Sequence, residues 1–132
     1  MTLSDLDGSL GLVEEGTRRD PARHPEDLSR LVVERLNASD VDGLVALYEP
    51  DAVMALPGGG TATGAEEIRA AFDEFVGGQP VVAPGRQQPT LRQGDLALTS
   101  SRLPDGTITV EVARRQADGT WLWAIDQPSI DG

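Results

Sequence analysis

The sequence predicts an α+β domain in which a bent sheet wraps around helices that come first in the chain. Apolar residues recur at helical spacing up to Val76 and then give way to short runs of strand formers from Gln88 onward. The later runs are separated by Gly94-Asp95, Pro104-Asp105-Gly106 and Asp118-Gly119, strong turn signals that imply an antiparallel meander. Helices followed by a run of strands is the α+β order. No internal repeat is visible, and 132 residues suffice for one core but not for two.

Residues 1–24 form an N-terminal arm, expected to be partly ordered, acidic at first and then broken by Gly16 and Pro21. Within it Ser9 to Glu15 suits either a short helix or a strand. His24 stands at a helix entrance, where a capping or surface histidine is expected rather than a catalytic one. The domain runs over 25–132. Pro25, with Glu26 and Asp27 beside it, suits a helix start, and Leu28, Leu31, Val32 and Leu36 make one apolar stripe. Asp40 is a good N-cap ahead of Val41, Leu44, Val45 and Tyr48, which predict a second short helix that Glu49-Pro50 stops.

Ala52 to Leu56 is a strand-like run closed by Pro57-Gly58-Gly59-Gly60. No lysine follows the triple glycine and no helix sits directly on it, so it is a loop and not a phosphate cradle. Glu66 to Val76 predicts a third helix with Ile68, Phe72, Phe75 and Val76 on one side, ended by Gly77-Gly78. Val81 to Ala83, flanked by prolines, suits an edge or a linker. Gln88–Arg92, Leu96–Arg102, Thr107–Arg115 and Thr120–Asp126 are the expected strands.

Composition removes several chemistries. There is no cysteine, which excludes a disulfide framework and a thiolate nucleophile. All 11 basic residues are arginine, which excludes a lysine Schiff base. The single histidine rules out a multi-histidine metal site. A net charge of −11 repels nucleic acid and anionic membrane surfaces. With no apolar segment of membrane-spanning length and no signal-peptide pattern, a cytoplasmic protein is expected.

The last hairpin brings two acids together. If Asp118-Gly119 is a two-residue turn, Ala117 lies opposite Thr120. Arg115 then pairs with Leu122, Ala113 with Ala124, and Glu111 with Asp126, all on one face. The other face carries Ile108, Val110, Val112, Arg114, Trp121, Trp123 and Ile125. The general exposure of charged residues would by itself put the acids in water and the indoles in the core.

Leu36 to Tyr48 (Leu-Asn-Ala-Ser-Asp-Val-Asp-Gly-Leu-Val-Ala-Leu-Tyr), Asp51-Ala52-Val53 and Gly64 to Arg69 (Gly-Ala-Glu-Glu-Ile-Arg) resemble the nuclear-transport-factor-like superfamily. That superfamily includes steroid Δ-isomerases, polyketide cyclases and scytalone dehydratase. The likeness is strongest to the steroid isomerases and extends from Pro25 to Asp126. It implies a cone-shaped barrel, a curved antiparallel sheet around about three N-terminal helices. The concave face of that sheet closes an internal pocket, and its convex face often forms a dimer interface. On this footing Glu111 and Asp126 look into the pocket, and the face bearing Trp121 and Trp123 is the surface of a homodimer. A buried acid pair would have at least one raised pKa.

The isomerase site itself carries over only in part. Leu56 stands where the family's general base precedes a proline, and Val32 where its oxyanion tyrosine stands. Tyr48 matches a supporting tyrosine, Phe72 replaces another, and Glu111 falls on the second oxyanion donor. Ordinary steroid isomerisation is therefore not expected. What the resemblance leaves is a pocket for a small hydrophobic ligand, lined by Val32, Tyr48, Met54, Leu56, Phe72 and Phe75, with Arg115 as a further polar member. Asp126 and Glu111 would be the catalytic proton-transfer pair of a cofactor-independent isomerase, cyclase or dehydratase, with no metal. The alternative is a non-catalytic dimeric ligand-binding or accessory module whose polar groups are tied into structural bonds.

Overall fold

The structure, a computed structural model, describes residues 19–78 and 81–130. The possible element at Ser9 to Glu15 lies outside the described residues. Three helices, α1 (Asp27–Asn37), α2 (Val41–Val45) and α3 (Gly64–Gly77), and seven strands are seen among them. The strands are β1 (Tyr48–Ala55), β2 (Thr61–Thr63), β3 (Arg86–Gln87), β4 (Leu91–Gln93), β5 (Leu96–Arg102), β6 (Ile108–Arg115) and β7 (Trp121–Ile130). They form one curved, unclosed sheet in the order β2-β1-β7-β6-β5-β3, with β4 also on β5. The sheet is mixed, because β1 runs parallel to β7 while every other pair is antiparallel.

The apolar stripes bury as their spacing predicts, with the exception of Phe75 on α3. Leu28 and Leu31 of α1, Leu44 of α2, and Ile68 and Phe72 of α3 are buried against Ala52 and Met54 of β1 and Trp121 and Trp123 of β7. Asp40 caps α2, its Oδ1 accepting from the Gly43 N–H at 3.1 Å. That helix ends at Val45, so Tyr48 is the first residue of β1 and not the end of a helix. Pro50 does not block the strand, because the β1–β7 register shifts between Tyr48 and Val53, where a residue without an N–H is tolerated.

The triple glycine is the loop of the β1–β2 hairpin, with φ of 82°, 100° and 84° at Gly58, Gly59 and Gly60. Val81 to Ala83 forms no strand. Instead the Asn37 side chain donates to the Val82 carbonyl at 2.9 Å and accepts from its N–H at 2.8 Å, tying this segment to the end of α1.

Two offsets decide the last hairpin. Its loop is three residues long, with the Gln116 N–H donating to the Thr120 carbonyl at 2.7 Å, so near the turn Arg115 pairs with Trp121 and Ala113 with Trp123. A bulge then takes up Ala124, and beyond it Val112 pairs with Ile125 and Glu111 with Asp126. The expected acid pair is present. The tryptophans, however, are not on the outer face. A one-residue change of register reverses every side chain, and Trp121 and Trp123 are 2% and 3% exposed in the core. The expected interface through a Trp121/Trp123 face is corrected accordingly.

Candidate functional site

Glu111 and Asp126 face each other across β6 and β7 and are both buried. Two neighbouring strands supply a hydroxyl to each. Tyr48, at the start of β1, donates to Asp126 Oδ2 at 2.5 Å. Thr99, opposite Glu111 on β5, donates to Glu111 Oε1 at 2.7 Å. The Tyr48 ring also sits 5.5 Å from the Trp123 ring and 5.8 Å from that of Phe72, in tilted arrangements. Met54 pairs with Asp126 across β1 and β7. The result is two carboxyls under an aromatic and thioether wall.

The electrostatics follow from that setting. Burial, and then the charge of Asp126, lifts the Glu111 carboxyl from its ordinary 4.5 to about 7, against the lowering pull of the Thr99 and Thr109 hydroxyls. Burial lifts Asp126 from 3.8 to about 6, opposed by the Tyr48 hydroxyl, which favours the ionised form. Burial pushes Tyr48 itself well above the ordinary phenol, and the two carboxylates add to this, so it stays a donor. No arginine among the described residues forms an ion pair with either acid. A pair of this kind keeps a proton near neutrality, where ordinary carboxyls have none.

The other expected lining residues divide. Tyr48, Met54 and Phe72 are buried in the core, and Val32 and Leu56 are half-buried against it. Phe75 and Arg115 are corrections. Phe75 is 48% exposed on the outer side of α3, because Ile68 and Phe72 already fill the inner stripe. Arg115 lies at the turn end of β6 and is exposed, its guanidinium bound to Asp95 Oδ1 through Nε at 2.9 Å and Nη2 at 2.5 Å. Thr99 was missed, yet its signal was available. Counting back from Pro104-Asp105-Gly106 as a three-residue loop sets Leu103 against Thr107 and Thr99 against Glu111, as observed.

A separate hollow of about 130 Å³ lies near the N-terminal segment, lined in part by Arg19, Ala22, Arg35, Leu47 and Trp121. It is built around Arg35, a buried arginine that donates to the carbonyls of Gly43 and Asp20, each at 2.7 Å. Arg19 lies beside it and binds both carboxylate oxygens of Asp40. Among the described residues no group of histidines, cysteines or acids has the arrangement of a metal site. Nor is any described helix long and apolar enough to cross a membrane.

A curved sheet over three helices, with a buried polar cluster on its inner face, defines the nuclear-transport-factor-like class of α+β cone. The model of the SnoaL-like domain matches residues 29–128, and the chain belongs to that family. Among solved structures it is similar to a ketosteroid isomerase-like protein from Erwinia carotovora atroseptica, at 18% identity over 77% of this chain and 89% of that one, with a TM-score of 0.58. A SnoaL-like protein of unknown function from Burkholderia thailandensis is 21% identical over 81% and 94% of the two chains, with a TM-score of 0.58. A protein with a cystatin-like fold from Nostoc punctiforme is 20% identical over 80% and 87%, with a TM-score of 0.62. At these identities the structures establish the fold and leave the chemistry to the residues. No curated protein sequence matches the chain.

Proposed function

We propose that this chain binds a small hydrophobic molecule in its interior and moves a proton on it, in the manner of an isomerase, cyclase or dehydratase. Asp126 is the base and Glu111 the acid. The observation that carries this reading is the direct opposition of two buried carboxyls whose pKa values lie near neutrality. Asp126, the lower of the two and bonded to Tyr48, ionises first, while Glu111 still holds its proton. Side chains of the chain itself thus supply both proton roles, and no cofactor enters the step. Leu56 stands in the position of the steroid isomerase base, so the base is assigned to the sheet.

A second reading has its own support. Each carboxyl already accepts from a protein hydroxyl, as expected of a non-catalytic binding or accessory module. Proton exchange separates the two. Bicyclic ketones such as 2-tetralone are incubated with the protein in D2O, and loss of the proton signal α to the carbonyl is followed by NMR. The catalytic reading expects acceleration by the wild type and none by Asp126→Asn. Binding across the ketone panel without any acceleration leaves the binding module.

The same reading makes the protein a cytoplasmic homodimer through the outer face of the sheet. There Val53, Ile125, Val112 and Leu98 line up across β1, β7, β6 and β5, with Ile125 53% and Leu98 39% exposed.

A further inference from the structure

We propose that the indole N–H of Trp123 is kept for a ligand oxygen, so that the molecule bound beside Glu111 and Asp126 carries a carbonyl or similar acceptor. This rests on the small-molecule reading above and narrows its substrate class. Trp123 is only 3% exposed, and its Nε1 has no hydrogen-bond partner among the described residues. A buried donor without a partner has given up its bond to water for nothing, so such groups call for an explanation. Buried indole N–H groups usually find a partner.

The neighbours of Trp123 make it part of the acid cluster. Its ring lies 5.5 Å from that of Tyr48, whose hydroxyl is on Asp126. It sits opposite Ala113, two residues along β6 from Glu111 and on the same inner face. In a regular strand Trp123 and Asp126, three residues apart, would point to opposite faces. The bulge at Ala124 brings both inside, and bulges re-aim side chains in this way near functional sites. Neither acid uses the indole. Asp126 takes its hydrogen bond from Tyr48, and Glu111 takes its own from Thr99.

An indole donates and does not accept. It therefore suits the oxygen of a ketone, ester or quinone, and offers nothing to the hydrogen of an alcohol or an ammonium. Because Trp123 packs against Tyr48, which holds Asp126, a carbonyl bound by the indole is the handle we assign to the proton transfer at Asp126.

The test uses two probes of one shape, 2-tetralone and its hydrocarbon counterpart tetralin, with 1H–15N spectra of the two indole groups. The Trp123 resonance is identified by its loss in Trp123→Phe. We expect 2-tetralone to bind wild type about five- to tenfold more tightly than tetralin, the worth of one hydrogen bond. It should move the Trp123 indole proton downfield while that of Trp121 stays in place, and in Trp123→Phe the preference should vanish. If Trp123→Phe fails to fold, the Trp123 indole proton is identified instead by its nuclear Overhauser contacts with the Tyr48 ring, and the wild-type preference and shift stand as evidence. Equal affinities in the wild type, or a bound ketone that leaves the Trp123 proton unmoved, overturn the proposal and leave the small-molecule reading standing. If neither probe binds, the small-molecule reading falls and this inference with it.

Discussion

Replacing Glu111 by glutamine tests the physical state of the acid pair without any knowledge of a ligand. The Glu111 carboxyl is raised in the folded chain from 4.5 to about 7, chiefly by burial. A group whose folded pKa is raised contributes stability that is fully present below its unfolded value and is lost as pH climbs through the folded one. The whole difference, 2.5 pH units at 1.36 kcal/mol each, is about 3 kcal/mol, of which about 2–3 kcal/mol falls between pH 5 and pH 8. Glutamine keeps an oxygen for the Thr99 hydroxyl, which bonds Glu111 at 2.7 Å. Any cost of seating its amide N–H2 is the same at both pH values. Urea unfolding followed by fluorescence is suitable, because Trp121 and Trp123 are both buried in the native state. The wild type should lose about 2–3 kcal/mol more than Glu111→Gln on going from pH 5 to pH 8. Parallel pH profiles would show that Glu111 ionises as an ordinary surface acid, and would remove the basis of the proposed site.

Tyr48→Phe takes away the hydroxyl that favours ionised Asp126, so the lower ionisation of the pair should move above about 6 in carboxyl 13C spectra. About 1–2 kcal/mol of stability should go at pH 8, and less at pH 4. Trp121→Glu buries an unpaired charge and should unfold the chain or cost more than about 4 kcal/mol by urea titration, whereas Ile125→Glu should leave the fold intact and shift sedimentation from dimer to monomer. Arg35→Ala takes the guanidinium from the carbonyls of Gly43 and Asp20 and should cost about 2–4 kcal/mol. Exchange of the Trp121 amide, which donates to the Ala22 carbonyl in the same segment, should speed up. Deleting Ala124 should cost only about 1–2 kcal/mol in urea unfolding, since Trp121, Trp123 and Asp126 all keep their facing, while deleting Leu122 two residues earlier turns one indole outward and should abolish folding.

Most of the architecture was legible because its signals are local. Asp40 reads as a cap from its own chemistry, Ile68 and Phe72 as the inner positions of α3 from their spacing, and the meander from its glycine turns. Tyr48 was not legible, since Val41, Leu44, Val45 and Tyr48 continue a helical spacing that the chain abandons after Val45. The strand it begins is parallel to β7, pairing Tyr48 with Trp123 and Met54 with Asp126 across more than seventy residues of chain, which no local pattern contains. Arg35 looks like a solvent-facing residue on α1, and only the carbonyls brought to it by Gly43 and Asp20 explain its burial.

The acid pair and the indoles show why counting from a turn succeeds in one place and fails in another. A two-residue turn and an unbroken ladder set Glu111 opposite Asp126. The chain has a three-residue loop and a bulge, and the two offsets cancel beyond Ala124. Between the turn and the bulge nothing cancels them, and there the tryptophans lie. Alternation says which residues share a face, but whether a strand spends a residue on curvature is settled by packing against the helices. The difference matters for the chemistry. Indoles on the outer face would have left the acids on the inner side of the hairpin with only Leu122, alanines and an arginine for company. Placed inside, with the Trp123 ring tilted against the tyrosine that holds Asp126, they belong to the buried core that keeps water from the carboxyls and makes their charge costly near neutral pH.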